Sequence, residues 1–201
     1  MIDRELKRTL GQMMHGVQVV GAAHDGVVRA YCSHWVSQVS FEEPIVLASV
    51  SPRHDTYPLI RDSGRFSVSI LAGDQVAEGQ YFSYPGRRFH HVADEFIELT
   101  EDGLPVVPGS IGWLACEVFE TRTHWADGTA MDHHLCFARV VRAGAGRLRE
   151  PPLLYSSRLG WRVAGDKARE PGSSIRDALL ARLEAAGFVD PGGEPDETSD
   201  G

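Results

Sequence analysis

The 201-residue chain has few of the features that mark disulfide-rich, metal-binding or membrane proteins. Its three cysteines are odd in number and form no CxxC pair, so they indicate neither a disulfide framework nor a zinc knuckle. None of the nine histidines belongs to an HExxH motif, and a metal site has no support. No apolar run approaches the roughly 18–20 residues that a membrane helix needs. The charged N-terminal segment lacks a hydrophobic signal core, so we expect a cytoplasmic protein.

Basic residues are also in deficit. Lysine and arginine number 20 against 28 acidic residues, which leaves a net charge of −8. This balance disfavours general binding to nucleic acid or to anionic membranes, although it leaves room for a small basic pocket around one phosphate. No GxGxxG motif follows a predicted strand, so the chain has no separate Rossmann domain for a dinucleotide.

The pattern of apolar residues predicts a mainly β protein. Alternating and β-branched stretches predict strands, and three short segments with helical spacing or capping residues predict helices. The ADGT sequence at 126–129 predicts a hairpin turn between two long strands. Without βαβ alternation, the order of elements favours a β-barrel over a doubly wound sheet. The predicted strands cover 16–23, 27–31, 34–40, 44–51, 66–71, 112–126, 131–146 and 152–163, and the predicted helices cover 3–14, 55–62 and 73–82.

The last part of the chain changes character. We expect one domain over residues 1–164 and an appendage over 165–201. Within the appendage, apolar residues at helical spacing predict an amphipathic helix over 174–186. Residues 190–201 are acidic and rich in turn formers, which is typical of disorder.

Four stretches together resemble the flavin reductase-like family, whose fold is the FMN-binding split barrel, a Greek-key type of barrel. HGVQVVGAA at 15–23 is similar to the family's opening strand, and CSHWVSQVSFEEPIVLASVSPRHDT at 32–56 is similar to its ring and phosphate segments. The family pattern continues with FSVSIL…VAEGQYF at 66–82 and WLACEVFE…MDHHLCFARVV at 113–141. It ends with PLLY at 152–155. The order and spacing of these stretches carry the resemblance. It implies a split barrel with a few short helices, to which the chain adds a C-terminal helix.

The resemblance implies an oxidoreductase, an NAD(P)H-dependent flavin reductase that transfers a hydride from NADH or NADPH to FMN or FAD. It further implies the small component of a two-component monooxygenase system, with a partner monooxygenase and a homodimeric state. One alternative is an FMN-binding flavoprotein that does not reduce free flavin, either an electron carrier or a flavoenzyme acting on another small molecule. The number of histidines adds haem binding as a further alternative.

The flavin ring needs a strand edge with small polar groups and an apolar wall. By resemblance, this ring lies along the segment Cys32, Ser33, His34 and Trp35. The family usually has Ser and Phe or other small residues at the positions of His34 and Trp35, so bulky side chains here would line the ring, narrow the pocket or select a substrate. The alternative is that Trp35 is a core residue and His34 is simply solvated.

The segment SPRHDT is the candidate phosphate site. It follows a strong strand and precedes a predicted helix, whose N-terminal N–H groups favour an anion. Hydroxyls and cations are supplied by Ser51, Arg53, His54 and Thr56. By resemblance, Arg87 and Arg88 also reach the flavin phosphate, and Phe82 packs near the flavin. The alternatives are a solvated turn and an ordinary solvated arginine pair.

One histidine is the candidate catalytic residue. Asp132 and His133 match the family's Gly-Asp-His element, in which the histidine lies at the flavin face and contacts the nicotinamide or the substrate. An imidazole there donates a hydrogen bond or assists proton transfer. Met131 replaces the usual glycine. Neighbouring side chains in a strand point to opposite faces, so His133 and His134 are not both expected in the pocket. The alternative is that both are ordinary strand-end histidines.

Overall fold

A computed structural model describes residues 3–83 and 96–164. Within these ranges the chain forms three short helices and twelve strands, as the sequence pattern predicts for a mainly β protein. The helices are α1 (Arg4–Leu10), α2 (Thr56–Ser63) and α3 (Val76–Ser83). The strands are β1 (His15–Gly16), β2 (Gln18–His24), β3 (Val27–Ser33), β4 (Val36–Gln38), β5 (Ile45–Val50), β6 (Arg65–Ile70), β7 (Glu98–Leu99), β8 (Pro105–Val106), β9 (Gly112–His124), β10 (Ala130–Ala145), β11 (Leu153–Ser156) and β12 (Gly160–Val163).

Seven strands form one antiparallel sheet that curls strongly. Their order is β3-β2-β6-β9-β10-β5-β4, so β3 and β4 lie at opposite edges. In a flat sheet these edges would be about 29 Å apart, at ~4.8 Å per strand spacing. Only His34 and Trp35 connect the two strands, and such a link reaches about 11 Å at most. The two edges must therefore approach each other, which confirms the predicted barrel.

A second sheet closes one end of this curl. It has the order β1-β11-β12, and β7 pairs with β8 in a small separate ribbon. The predicted strand at 16–23 is in fact divided: Gly16 pairs with Leu154 in the second sheet, whereas Gln18–His24 pairs with β3, and its first four residues also pair with β6. Val17 joins the two sheets, because its N–H donates to the Leu153 carbonyl and its own carbonyl accepts from Leu71.

The helices are shorter than, or displaced from, the predicted ones. Asp3 caps α1 by accepting hydrogen bonds from two backbone N–H groups, and the helix ends before Gly11 rather than at residue 14. The α2 helix ends at Gly64, which has the left-handed conformation (φ 68°) that ends many helices. The predicted strand at 34–40 contains only β4, because the preceding residues form the crossing between sheet edges.

The interior consists of two hydrophobic clusters. One lies between the curled sheet and α2 and includes the buried residues Val20, Phe66 and Val68. The other lies under α3 and the second sheet, and includes Leu71, Phe82 and Leu153. Cys116 and Cys136 are buried in the first cluster as free thiols. The part of the chain that the structure describes contains no helix both long and apolar enough to cross a membrane. The expected C-terminal helix and tail lie outside the described residues.

Candidate active site

The crossing between β3 and β4 is the centre of the site. It consists of His34 and Trp35, two bulky residues that lie where the two edges of the curled sheet approach each other. It is held in place by backbone contacts on both sides. The Trp35 N–H donates to Ser33 Oγ at 3.2 Å, and the Trp35 carbonyl accepts from the Ser49 N–H at 2.9 Å. Ser33 itself is buried, so this segment is anchored rather than free to swing.

His34 is half-buried against the second sheet. Its ring stacks on that of Tyr155, with centroids 4.3 Å apart, and meets the edge of Trp161 at 6.0 Å. Burial, assisted by the neighbouring His15, lowers the pKa of His34 to about 4. Its Nδ1 atom is buried and has no hydrogen-bond partner within the described part of the chain. A neutral imidazole with one unused polar atom is suited to a hydrogen bond with a ligand.

Trp35 is 53% exposed, whereas the alternative from the sequence placed it in the core. That alternative is wrong, because the chain turns outward as it crosses the seam; His34 is equally not a simple solvated residue. The Trp35 ring meets the His133 ring edge to face, with centroids 4.8 Å apart. An exposed indole held in this way forms a rigid apolar wall beside an imidazole.

His133 projects from a large bulge in β10. The pairing of β10 with β9 runs from Ala130 opposite His124 directly to Leu135 opposite Arg122. Five steps along β10 therefore match two along β9, so residues 131–134 leave the regular ladder with β9, while His134 pairs with Val50 of β5. Bulges of this kind re-aim side chains at functional sites. His133 Nδ1 lies 3.6 Å from an oxygen of Asp132, and the His133 side chain is 29% exposed.

The neighbouring histidine points elsewhere. The His134 ring contacts Tyr57 of α2 at 4.8 Å, edge to face, and partial burial lowers the pKa of His134. His133 and His134 thus contact aromatic rings on different elements, as expected for consecutive residues of a strand. Only His133 contacts the crossing at Trp35.

The candidate phosphate segment forms a tight turn between β5 and α2. Ser51 Oγ accepts from the Arg53 N–H at 3.4 Å, and the Ser51 carbonyl accepts from the His54 N–H at 3.1 Å. The residue before α2, Asp55, makes no side-chain capping hydrogen bond to the helix, and the Tyr57 N–H donates to the His54 carbonyl at 2.9 Å. Arg53 is exposed, whereas Thr56 is 2% exposed.

His54 links this turn to the rest of the site. Its ring stacks on Tyr31 at 4.3 Å. Partial burial lowers the pKa of His54, and the nearby charge of His133 lowers it further. The turn and the β10 bulge therefore lie close together. The buried Tyr31 hydroxyl has no hydrogen-bond partner among the described residues, and burial raises the pKa of Tyr31.

Two other candidate residues lie deeper. Cys32 is half-buried in β3, and burial raises its pKa to about 11, which keeps the thiol protonated. Phe82 is 1% exposed and packs against Tyr81 and Phe96 at ring-centroid distances of 5.0 and 6.4 Å. Its expected contact with a flavin stays a prediction. Arg87 and Arg88 lie outside the described residues.

The aromatic pair that flanks His34, Tyr155 and Trp161, was not predicted from the sequence as part of the site. Tyr155 and Trp161 are cross-strand neighbours in the hairpin of β11 and β12, with rings 5.2 Å apart. The PLLY stretch includes Tyr155, but only the pairing of β1 with β11 shows which face of the hairpin meets the crossing. No group of three or more metal-ligating side chains is found within residues 3–83 and 96–164.

These residues fit a flavin. A cleft of about 400 Å³ opens beside His34 and Trp35 and includes the hydroxyl-bearing residues Ser37 and Ser49. The unpartnered His34 Nδ1 and the apolar Trp35 wall provide what a planar heterocycle with polar edges requires. The turn at Ser51–His54 carries the exposed Arg53 cation and the Ser51 hydroxyl, two groups that can bind a phosphate.

Comparison with known proteins agrees with this geometry. The sequence profile of the flavin reductase like domain matches residues 10–159. The chain is 31% identical over 138 residues to an NADH-dependent flavin reductase of Rhodococcus sp, covering 67% of this chain and 73% of that protein. It is 29% identical over 156 residues to the reductase component of a 4-nitrophenol 4-monooxygenase/4-nitrocatechol 2-monooxygenase of Rhodococcus opacus, covering 78% of this chain and 79% of that one.

Solved structures show the same fold. The styrene monooxygenase flavin reductase of Pseudomonas putida S12 superposes with a TM-score of 0.68 at 23% identity, covering 80% of this chain and 97% of that one. At this level of identity the likeness supports the fold alone. Together with the profile match and the relatives, it establishes that the chain belongs to the flavin reductase-like domain family.

Proposed function

We propose that this protein is an NAD(P)H-dependent flavin reductase that transfers a hydride from NADH or NADPH to FMN or FAD. The observation that carries the proposal is the contact between Trp35 and His133 beside the turn at Ser51–His54. The closeness of an apolar side chain, an imidazole and a candidate anion-binding turn supports binding of a flavin together with its phosphate. The names of the relatives, an NADH-dependent flavin reductase among them, support the same activity.

The side chains have separable roles in binding. The exposed Trp35 ring covers one side of the groove, and the His34 Nδ1 offers a hydrogen bond to a polar ring edge. Arg53, which is exposed just before α2, binds the phosphate, and the positive end of the helix favours the anion. The bound flavin supplies the ring that accepts the hydride. Since the groove is open and the sequence has no dinucleotide-binding motif, the nicotinamide enters over the same ring.

His133 is the residue placed to act on the reacting centre. Its ring is packed against Trp35 on one side, and its Nδ1 lies 3.6 Å from an oxygen of the exposed Asp132 carboxylate. From there the imidazole donates a hydrogen bond or a proton as negative charge develops at the acceptor. The β10 bulge fixes this placement, because it removes the residue from the ladder.

The direct experiment measures NADH and NADPH oxidation by the purified protein with and without added FMN or FAD. Turnover that requires flavin is the expected result. Protein that binds flavin tightly yet oxidises neither nucleotide would instead support a flavoprotein that is not a free-flavin reductase.

We further propose that the protein is a cytoplasmic homodimer that passes reduced flavin to a partner monooxygenase. The name of the Rhodococcus opacus relative, a monooxygenase reductase component, supports the partner. Large exposed apolar side chains support self-association, among them Phe41, Phe119 and Trp125. Sedimentation analysis tests the dimer, and a single species of monomer mass would overturn it.

We also propose that residues 1–164 form the flavin reductase domain and that 165–201 form an appendage to it. The profile match, which ends at residue 159, supports this boundary. Limited proteolysis tests the boundary, with cleavage expected after residue 164 and a stable core left behind.

A further inference from the structure

One face of α1 concentrates positive charge. Arg4, Lys7, Arg8 and Gly11 are spaced at i, i+3, i+4 and i+7, so they share one side of the helix. This side opens onto Ser157 and Arg158, in the turn between β11 and β12. The four cationic side chains, with Gly11 and Ser157, surround a cleft of about 470 Å³, here called the basic cleft.

The cations of the basic cleft differ in their partners from other arginines that the structure describes. Arg61 pairs with Asp62, and Arg147 pairs with Asp74. In contrast, no carboxylate within the described ranges forms an ion pair with Arg4, Lys7, Arg8 or Arg158. Asp3 caps α1 through its side chain. A cluster of cations that makes no ion pair within the described residues favours an external anion.

The basic cleft is continuous with the candidate active site. Lys7, Gly11 and Ser157 also line a larger and mostly apolar cleft of about 750 Å³. Its other walls include Leu10, Met13, Tyr155, His34 and Trp35, so it ends at the crossing. Gly11 keeps the junction open, because a Cβ there would lie 2.7 Å from Ser157 Oγ. A bound molecule would thus pass from a charged end, over an apolar wall, to the flavin groove.

We propose that the basic cleft binds the ADP portion of a dinucleotide whose reactive ring lies in the flavin groove. The diphosphate would meet the four cations, and the adenosine would lie on the apolar wall. The inference rests on the proposed function, and NAD(P)H is the substrate that carries this chemistry, because the phosphate of a bound flavin is already assigned to the turn at Ser51–His54. It predicts that the enzyme distinguishes dinucleotides from mononucleotides through α1, far along the chain from His133 and from the turn at Ser51–His54.

The kinetic test uses the variant Lys7→Gln/Arg8→Gln/Arg158→Gln, with Arg149→Gln as a matched exposed charge loss outside the cleft. NADH is compared with reduced nicotinamide mononucleotide, and FAD with FMN, under conditions where each KM is measured. We expect a KM rise of about tenfold for NADH and little change for reduced nicotinamide mononucleotide, whereas the same rise for FAD alone would overturn the inference. Unchanged KM values in all combinations, or equal rises for dinucleotides and mononucleotides, would overturn the inference.

A binding test keeps the inference separable from the proposed activity. ADP is titrated into the wild-type protein, the triple variant and Lys7→Gln alone by calorimetry. We expect binding that weakens in both variants and with added salt, even if the protein oxidises no NADH. Absent ADP binding by the wild type would overturn the inference. So would a triple variant that binds ADP normally but changes its state of association, because a second copy would then occupy the cleft.

Discussion

Replacing His34 should remove a pH dependence from the stability of the protein. The ring is packed between Tyr155 and Trp161, and burial lowers its pKa to about 4, against an ordinary value of 6.5. The unfolded chain therefore binds a proton below about pH 6.5 that the folded chain does not bind until about pH 4. The wild-type free energy of unfolding consequently falls as the pH decreases through this window, and His34 contributes no such loss above it.

The size of the loss follows from the gap between the two pKa values. If the whole pKa difference of His34 between the unfolded and folded chain appeared in the free energy of unfolding, the loss would be about 3 kcal/mol. Because the ring is only half-buried and water screens part of the charge, we expect about 1–2 kcal/mol. His54 and His134, whose pKa values are also lowered, add to the total loss in the wild type in the same direction.

The assay is urea unfolding of the wild type, His34→Gln and His34→Leu at about pH 7.5 and about pH 5. Gln keeps hydrogen-bonding groups and Leu does not, so their absolute stabilities will differ. Both remove the titrating group, and because pH 5 lies only part of the way from 6.5 to 4, both should reduce the loss between the two pH values by about 1 kcal/mol. A loss as large in the variants as in the wild type would refute the reasoning.

Three further changes test other parts of the account. His133→Ala should slow flavin reduction in stopped-flow measurements with little change in flavin affinity, and unchanged reduction rates would leave His133 a structural residue. Arg53→Ala should weaken FMN binding more than riboflavin binding, because only FMN carries the phosphate; equal weakening would refute the phosphate role. Gly73→Ala should destabilise the fold by about 1–3 kcal/mol, because its Cβ would lie 2.4 Å from Val163 Cγ1. The double variant with Val163→Ala should recover most of this loss in thermal unfolding.

Much of the fold follows from alternation in the sequence. The segment FSVSIL predicts β6, which the structure places at Arg65–Ile70 in the middle of the sheet. The ADGT sequence likewise predicts the hairpin of β9 and β10, because a glycine can adopt the positive φ that such a turn requires. In the structure Gly128 has a φ of 83°. These elements are predictable because their faces alternate between core and solvent over many residues.

The crossing and the bulge are not predictable in the same way. His34 and Trp35 connect opposite sheet edges, and only the closure of the barrel decides which side chain turns inward. The bulge at 131–134 is a register shift between two strands, which depends on their pairing and not on either sequence alone. The division of the 16–23 segment has the same origin, since Gly16 and Gln18 pair with different sheets.

The site was accordingly predicted as separate segments. Sequence order suggests the ring segment, the phosphate turn and His133, and the structure brings Trp35, His54 and His133 together. Tyr155 and Trp161 were missed, because their contact with His34 depends on the second sheet.

The most direct test of the central claim is the rate of NADH oxidation by the purified protein as a function of added FMN, compared between the wild type and His133→Ala. The account predicts oxidation that depends on flavin and saturates with it, and a lower maximal rate at a similar flavin KM for the variant. Oxidation that is absent at every flavin concentration, or that is identical in the two proteins, would contradict it.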